Sequence, residues 1–61
     1  MNFRLIVVVD GERTIQQIVD FEHVPLPGEV ISLWPGEQFT VRHVIEARRH
    51  GLAGIVLAWT A

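Results

Sequence analysis

Four corners rich in glycine or proline divide this 61-residue chain into five short runs. The corners are Asp10-Gly11, residues 25–28, Pro35-Gly36 and residues 49–54. An Asp-Gly step supplies the positive φ of a tight hairpin turn, and Pro-Gly matches the centre of a type II turn. Between the corners the runs are rich in β-branched residues or alternate in polarity, as strands do. The pattern therefore predicts five strands, at residues 2–9, 13–24, 29–34, 38–49 and 55–60.

Five strands joined by short turns indicate an all-β fold. A small sheet with two exposed edges invites uncontrolled pairing unless it curls toward closure or pairs an edge with a second copy. We therefore expect residues 1–61 to form a single domain, a small, five-stranded, antiparallel and partly closed barrel.

The second run has an alternative interpretation as a helix. Thr14 and Gln17 fit a T-x-x-Q capping box, and the apolar residues that follow have i, i+3, i+4 spacing. This would give an α+β fold with a short helix at residues 14–22. The strand is favoured because the Asp-Gly hairpin requires an antiparallel partner immediately after it.

Two runs define faces of the predicted sheet. The first is apolar on both faces, so we expect it to be covered on both sides or to lie at an interface. The fourth alternates most regularly, which predicts one inner face. The residues of that face are Phe39, Val41, His43, Ile45 and Ala47.

Size and composition favour self-association. A chain this short buries only about 60% of its surface on folding and usually needs a disulfide, a metal or a partner chain. Cysteine is absent, and the three histidines have no metal-ligand spacing, so we expect neither a metal nor another cofactor. Apolar residues make up 49% of the chain. The expected partner is therefore a second copy, in a dimer or a higher homo-oligomer.

Charge and hydropathy argue against two other classes of partner, nucleic acids and membranes. The net charge is −2, and all five basic residues are arginine, which argues against broad, charge-driven nucleic-acid binding. No apolar run approaches the roughly 20 residues that span a bilayer, so no membrane partner is expected. A cytoplasmic location fits a chain without cysteine.

One stretch follows a recurring pattern, V-P-L-P-G-E-V-I at residues 24–31 and P-G-E-Q-F-T-V-R-H-V at residues 35–44. It resembles short bacterial and mobile-element proteins in which a V-P-x-x-G-E-x-[IV] loop-strand leads through a tight turn into a further strand. Such proteins resemble SH3-like small barrels, and most lack an assigned function. The resemblance implies an SH3-like barrel and carries no site residue.

The only basic concentration is Arg48-Arg49-His50, with Arg42 on the same predicted strand. Arginine forks at these positions suit phosphate or nucleic-acid contacts. The favoured interpretation, given the acidic net charge, is a solvated strand end whose arginines pair across the sheet with acids, the candidates being Glu46, Glu37 and Asp20.

Three further residues are candidate binding positions. Trp34 and Trp59, each near a strand end, would serve as stacking platforms for bases or, as we favour, as core or interface anchors. His43 is favoured as an interior or interface histidine, with a general base or metal ligand as the alternative.

No catalytic motif is recognisable. Ser32 lacks a G-x-S-x-G context, and no glycine lies in a phosphate-binding motif. The leading hypothesis is a non-enzymatic interaction module that self-associates and binds another macromolecule. Protein is the favoured class of partner. One alternative is a nucleic-acid binder using Arg42, Arg48, Arg49 and a tryptophan. The other is a small-ligand site or minimal enzyme at a subunit interface, centred on His43.

Overall fold

A computed structural model describes residues 1–33 and 35–60. Five strands form one curled sheet, a half-barrel with the order β2-β1-β5-β4-β3. The strands are β1 (Asn2–Val9), β2 (Arg13–Asp20), β3 (Val30–Ile31), β4 (Phe39–Arg49) and β5 (Leu52–Thr60). The all-β prediction is confirmed, including the strand rather than the helix after the first corner. The described residues contain no helix that could cross a membrane.

The β1–β2 hairpin forms as the Asp-Gly corner predicts. Asp10 and Gly11 have φ values of 53° and 70°, the left-handed conformation that a type I′ turn needs. β2 ends at Asp20, earlier than the predicted residue 24. There the amino group of Met1 binds the Asp20 carboxylate at 2.7 Å, and the Phe21 ring packs edge-on against Phe3 at 5.8 Å.

β1 and β5 pair in parallel, from Phe3 opposite Gly54 to Val8 opposite Trp59, whereas the other three pairings are antiparallel. Antiparallel pairing throughout, which the sequence predicts, does not hold for this pair. The difference arises because residues 21–29 carry the chain from β2 to the far edge of the sheet. The meander β3-β4-β5 then returns β5 alongside β1 in the same direction.

The core lies on the concave, inner face of the sheet. Among the described residues, seven apolar side chains of β1, β4 and β5 form its buried cluster: Phe3, Leu5, Val7, Phe39, Val41, Val56 and Ala58. The crossover covers this face, because Phe21 and Val24 pack against the cluster and Pro25 is buried. One layer of side chains under one loop is a thin core, as the chain length predicts.

β4 has two irregularities that change which residues share a face. Its register with β5 shifts between Val41 and His43 and again between Glu46 and Arg49. The first shift leaves Arg42 as an extra residue, as in a β-bulge, so the alternation restarts in the opposite phase. The predicted single face is therefore wrong beyond Val41: His43 and Ile45 lie on the convex side.

Two other strand boundaries differ from the predictions. β3 has only two residues, and the Ser32 hydroxyl after it donates to the Glu37 carbonyl at 3.1 Å, which starts the turn early. Trp34 lies outside the described residues. β5 begins at Leu52, because His50 and Gly51 alone make the turn, with φ values of 54° and 78°.

Gly54 is required by the second irregularity of β4. A Cβ atom there would overlap the carbonyl oxygen of Ile45 and lie 3.1 Å from the Cα of Glu46. We expect Gly54→Ala to destabilise the protein by about 3 kcal/mol, because backbone cannot yield as a side chain can. That is most of the stability of a domain this small. The measurement is urea unfolding followed by circular dichroism.

The control is Gly51→Ala, where an added Cβ meets open space and the cost of about 1 kcal/mol comes from the positive φ alone. Equal losses in the two variants would show that the close approach of Gly54 to β4 is not what constrains this position.

Candidate interaction surface

The convex side of the sheet, which we call the outer face, is organised in three cross-strand rows. Residues that are paired in register share a face, so the rows follow directly from the strand pairings. The first row is Ile18, Arg4, Ile55 and Ile45. The second row is Gln16, Ile6, Leu57 and His43. The third row is Thr14, Val8, Trp59, Thr40 and Val30.

The three rows are mostly apolar and contain no carboxylate; Asp20, the carboxylate on this side of β2, lies beyond the first row. Eight of the thirteen side chains in the rows are large and apolar, and none is acidic. Ile18, Val30 and Ile45 are 62%, 55% and 50% exposed, while the apolar side chains between them are half-buried only by their neighbours. No other layer covers this side in the described residues. The doubly apolar first run thus has one face in the core and the other toward solvent.

Arg42 and His43 both contact Trp59 on the outer face. The Arg42 guanidinium carbon lies 5.0 Å from the centre of the Trp59 ring, within the range of a cation–π contact. The His43 ring meets Trp59 edge-on, with centroids 6.4 Å apart and an interplanar angle of 71°. The bulge at Arg42 brings both side chains to this side. One face of Trp59 is therefore already occupied within the chain.

A recess of about 510 Å³ lies at the other end of the outer face. Its floor is apolar and its rim is basic, with Arg4, Arg49 and His50 among its lining residues and no acidic residue. The apolar part includes Ile6, Ala47, Leu52 and Ile55. Arg48 lines an adjoining recess together with Arg49 and His50. This end of the surface suits a ligand that is anionic and partly apolar.

The arginines of this surface have no acidic partner in the part of the chain that the structure describes. The salt bridges between described residues join the Met1 amino group to Asp20 and His23 to Glu29. No arginine among residues 1–33 and 35–60 pairs with an acidic side chain. The expected pairing with Glu46, Glu37 or Asp20 is therefore not found, and Asp20 binds the amino terminus instead. The guanidinium groups keep their hydrogen-bonding capacity for a ligand.

His50 occupies an unusual backbone conformation beside the recess. It has a positive φ at the first central position of a type I′ turn, where asparagine, aspartate and glycine are preferred. Histidine is, with asparagine and aspartate, one of the non-glycine residues enriched in this region. Its side chain lines both basic recesses.

The structure places the candidate residues from the sequence in two groups. Arg42, His43 and Trp59 meet at one end of the outer face, whereas Arg48, Arg49 and His50 lie at the far end of β4. His43 is exposed, so an interior position is wrong. In the part of the chain that the structure describes, it has no hydrogen bond to a carboxylate, and no three potential ligands converge on a metal site.

Sequence reasoning missed Arg4 and the apolar centre of the surface. Arg4 lines the recess through a pairing of β1 with β5 that no local pattern indicates. The signal for the apolar centre was present in the doubly apolar first run, which pointed to an interface without locating it.

Comparison with known proteins gives no relative. No family model matches the sequence, no curated protein matches it significantly, and no solved structure does so.

We expect the recess to bind 8-anilinonaphthalene-1-sulfonate, which combines aromatic rings with one anionic group. Arg49→Gln should lower the affinity for the dye about tenfold or more, because a charge-assisted hydrogen bond from the rim is lost. Titration of dye fluorescence against the native protein measures this. The control is Arg13→Gln, which removes the same charge from the start of β2, away from the recess. Equal affinities in the two variants would contradict dye binding at this rim.

Proposed function

We propose that this protein is a non-enzymatic interaction module that self-associates and binds another macromolecule, a protein, through the outer face. The observation that carries the proposal is the composition of the three rows of that face: eight large apolar side chains and no carboxylate within the rows. An antiparallel sheet that turns one face to water normally alternates polar residues on that face. Contiguous exposed apolar surface marks interaction sites in soluble proteins.

The chemistry of the face selects a partner that is both apolar and acidic. Ile18, Val30 and Ile45 offer exposed aliphatic contacts. Arg4 and Arg49, which lack acidic partners, offer bidentate hydrogen bonds to carboxylates at one end. A partner segment with an acidic side chain next to aliphatic or aromatic ones would satisfy both. Tryptophan and arginine are also the side chains that most often dominate protein interfaces.

We also propose that the protein works in the cytoplasm and is related to the SH3-like small barrels of bacterial and mobile-element proteins. The support for the first is the lack of cysteine, and for the second the motif at residues 24–44. Self-association is supported by an apolar share of 49% in a chain whose described core buries seven apolar side chains.

Photo-crosslinking in cells tests the partner surface. The photoreactive amino acid p-benzoylphenylalanine is placed at position 45, on the outer face, or at position 26, in the crossover. Ile45 and Leu26 are both exposed, at 50% and 63%, so the photoreactive side chain is similarly accessible to a partner at the two positions. We expect a discrete heterologous protein adduct from position 45 only. The adduct should disappear when Ile18→Thr is added, because that substitution removes an exposed apolar contact from the same row.

The readout is mass spectrometry of the adducts. Heterologous adducts of equal yield from positions 26 and 45, or an adduct that persists unchanged with Ile18→Thr, would overturn the outer face as the binding surface.

Nucleic acid is the second candidate, and the unpaired arginines favour it. Arg4, Arg48 and Arg49 line adjoining recesses without an acidic residue. If a phosphate backbone binds there, affinity for a labelled single-stranded oligonucleotide should fall steeply with salt. Arg48→Gln/Arg49→Gln should weaken binding about tenfold or more, while Arg13→Gln changes it little. Fluorescence anisotropy measures both. Salt-independent binding, or no binding of DNA and RNA, would eliminate this candidate.

A further inference from the structure

The free edge of β2 is a second unpartnered surface. β2 and β3 are the two edge strands of the sheet, but β3 has only two residues, whereas β2 has eight. β2 pairs with β1 in unbroken register and has no bulge on that side. Between Arg13 and Asp20 its residues are T-I-Q-Q-I-V, with no charge, lysine or proline. Natural edge strands usually carry such features to prevent pairing with other chains.

The hydrogen-bond pattern shows which groups this edge offers. Met1 and Phe21 exchange two backbone bonds, from Phe21 N to Met1 O at 2.8 Å and from the Met1 amino group to Phe21 O at 2.9 Å. In an antiparallel ladder, hydrogen-bonded pairs alternate with non-bonded ones. The odd-numbered residues of β2 therefore bond to β1. The N–H and C=O groups at positions 14, 16, 18 and 20 point away from the sheet, toward a potential partner strand.

Those four positions are symmetric about Gln17. If two copies pair antiparallel with Gln17 opposite Gln17, residue 14 faces residue 20 and residue 16 faces residue 18 of the other copy. Four facing pairs with two bonds each use all the free groups of both edges, as eight hydrogen bonds. Centring the pair on Gln16 instead uses fewer of them and sets Glu12 against Asp20, two like charges.

The side chains fit the same register. On the inner side, Ile15 lies opposite Val19 of the second copy, an apolar β-branched pair continuous with the core face. On the outer side, the Thr14 hydroxyl faces the Asp20 carboxylate of the second copy. No like charges meet at any facing pair from residue 14 to residue 20.

We propose that two copies of this protein form a dimer by antiparallel pairing of their β2 strands, centred on Gln17. The inference rests on the self-association part of the proposed function and names its surface. The two five-stranded half-barrels become one ten-stranded sheet, with a two-fold axis perpendicular to it. The outer faces of the two copies then lie side by side on the same side of the combined sheet.

Single-cysteine variants test the register, because the chain has no cysteine of its own. In the proposed dimer the two Gln17 residues form a non-bonded pair, whose Cα atoms lie about 4.5 Å apart, within the range of a disulfide. Gln17→Cys should therefore form a disulfide-linked dimer under mild oxidation. Gln16→Cys is the matched control: the same exposed residue type one position earlier, facing Ile18 instead of its own copy. Non-reducing electrophoresis and intact mass give the yields.

A second variant tests the energetics. Gln16→Pro removes an N–H that points away from β1, so the fold should persist, as proline is tolerated at sheet edges. The dimer loses two of its eight bonds, and its dissociation constant should rise about tenfold or more. Gln17→Pro, which removes a ladder bond to β1, should disrupt the fold instead. Sedimentation equilibrium and circular dichroism measure these effects.

The outcomes separate this inference from the proposed function. A wild-type chain that stays monomeric at high concentration overturns self-association as a whole. Wild-type dimers with equal crosslinking yields at positions 16 and 17 overturn the β2 register and leave self-association standing. If Gln16→Pro does not fold, amide exchange of the wild type decides: protection at Gln16 and Ile18 must rise with protein concentration, and unchanged protection there overturns the edge assignment.

Discussion

The parallel pairing of β1 with β5 is the contact on which the rest of this structure depends. It joins the β1–β2 hairpin to the β3–β4–β5 meander, which no other strand pairing connects. β1 and β5 each place at least two apolar residues on the inner face and at least two on the outer face. Their side-by-side placement at the centre of a single sheet puts one apolar set in the core and the other on the outer face. The described residues place no second layer over the outer set, so a core and an exposed apolar surface arise from the same pairing.

The fold class and the first hairpin could be predicted from the sequence, because Asp10-Gly11 and period-2 alternation are signals between near neighbours. The direction of the β1–β5 pairing could not be predicted, because it depends on the edge of the sheet at which the crossover at residues 21–29 ends. The bulge at Arg42 was also hidden, because no glycine or proline marks it. That one residue decides whether His43 lies inside the barrel or beside Trp59. The sequence indicated Arg42, Arg48, Arg49, His50 and Trp59 one by one as candidates, but it did not indicate how they are arranged on a surface.

Charge is distributed unevenly over this molecule, which the net charge of −2 does not show. The acidic residues lie in turns, in the crossover or at strand positions outside the three rows: Asp10, Glu12, Asp20, Glu22, Glu29, Glu37 and Glu46. The outer face and its recesses receive arginine and histidine without acidic partners. A mildly acidic chain can therefore present a locally basic, apolar surface to an acidic partner.

Edge pairing and the outer face reinforce one another in the proposed assembly. The outer face of one copy is a narrow binding surface, with a few exposed aliphatic side chains and one basic recess. Pairing through β2 places two such surfaces in one plane, with Gln16 near the junction and also lining the recess. A partner that presents two matching segments would bind the second one intramolecularly, which raises its affinity without any new kind of contact. An unprotected edge strand is a hazard for an isolated domain, but here its pairing positions are symmetric about one residue. Such symmetry limits association to a closed pair, because the edge is consumed once two copies have met.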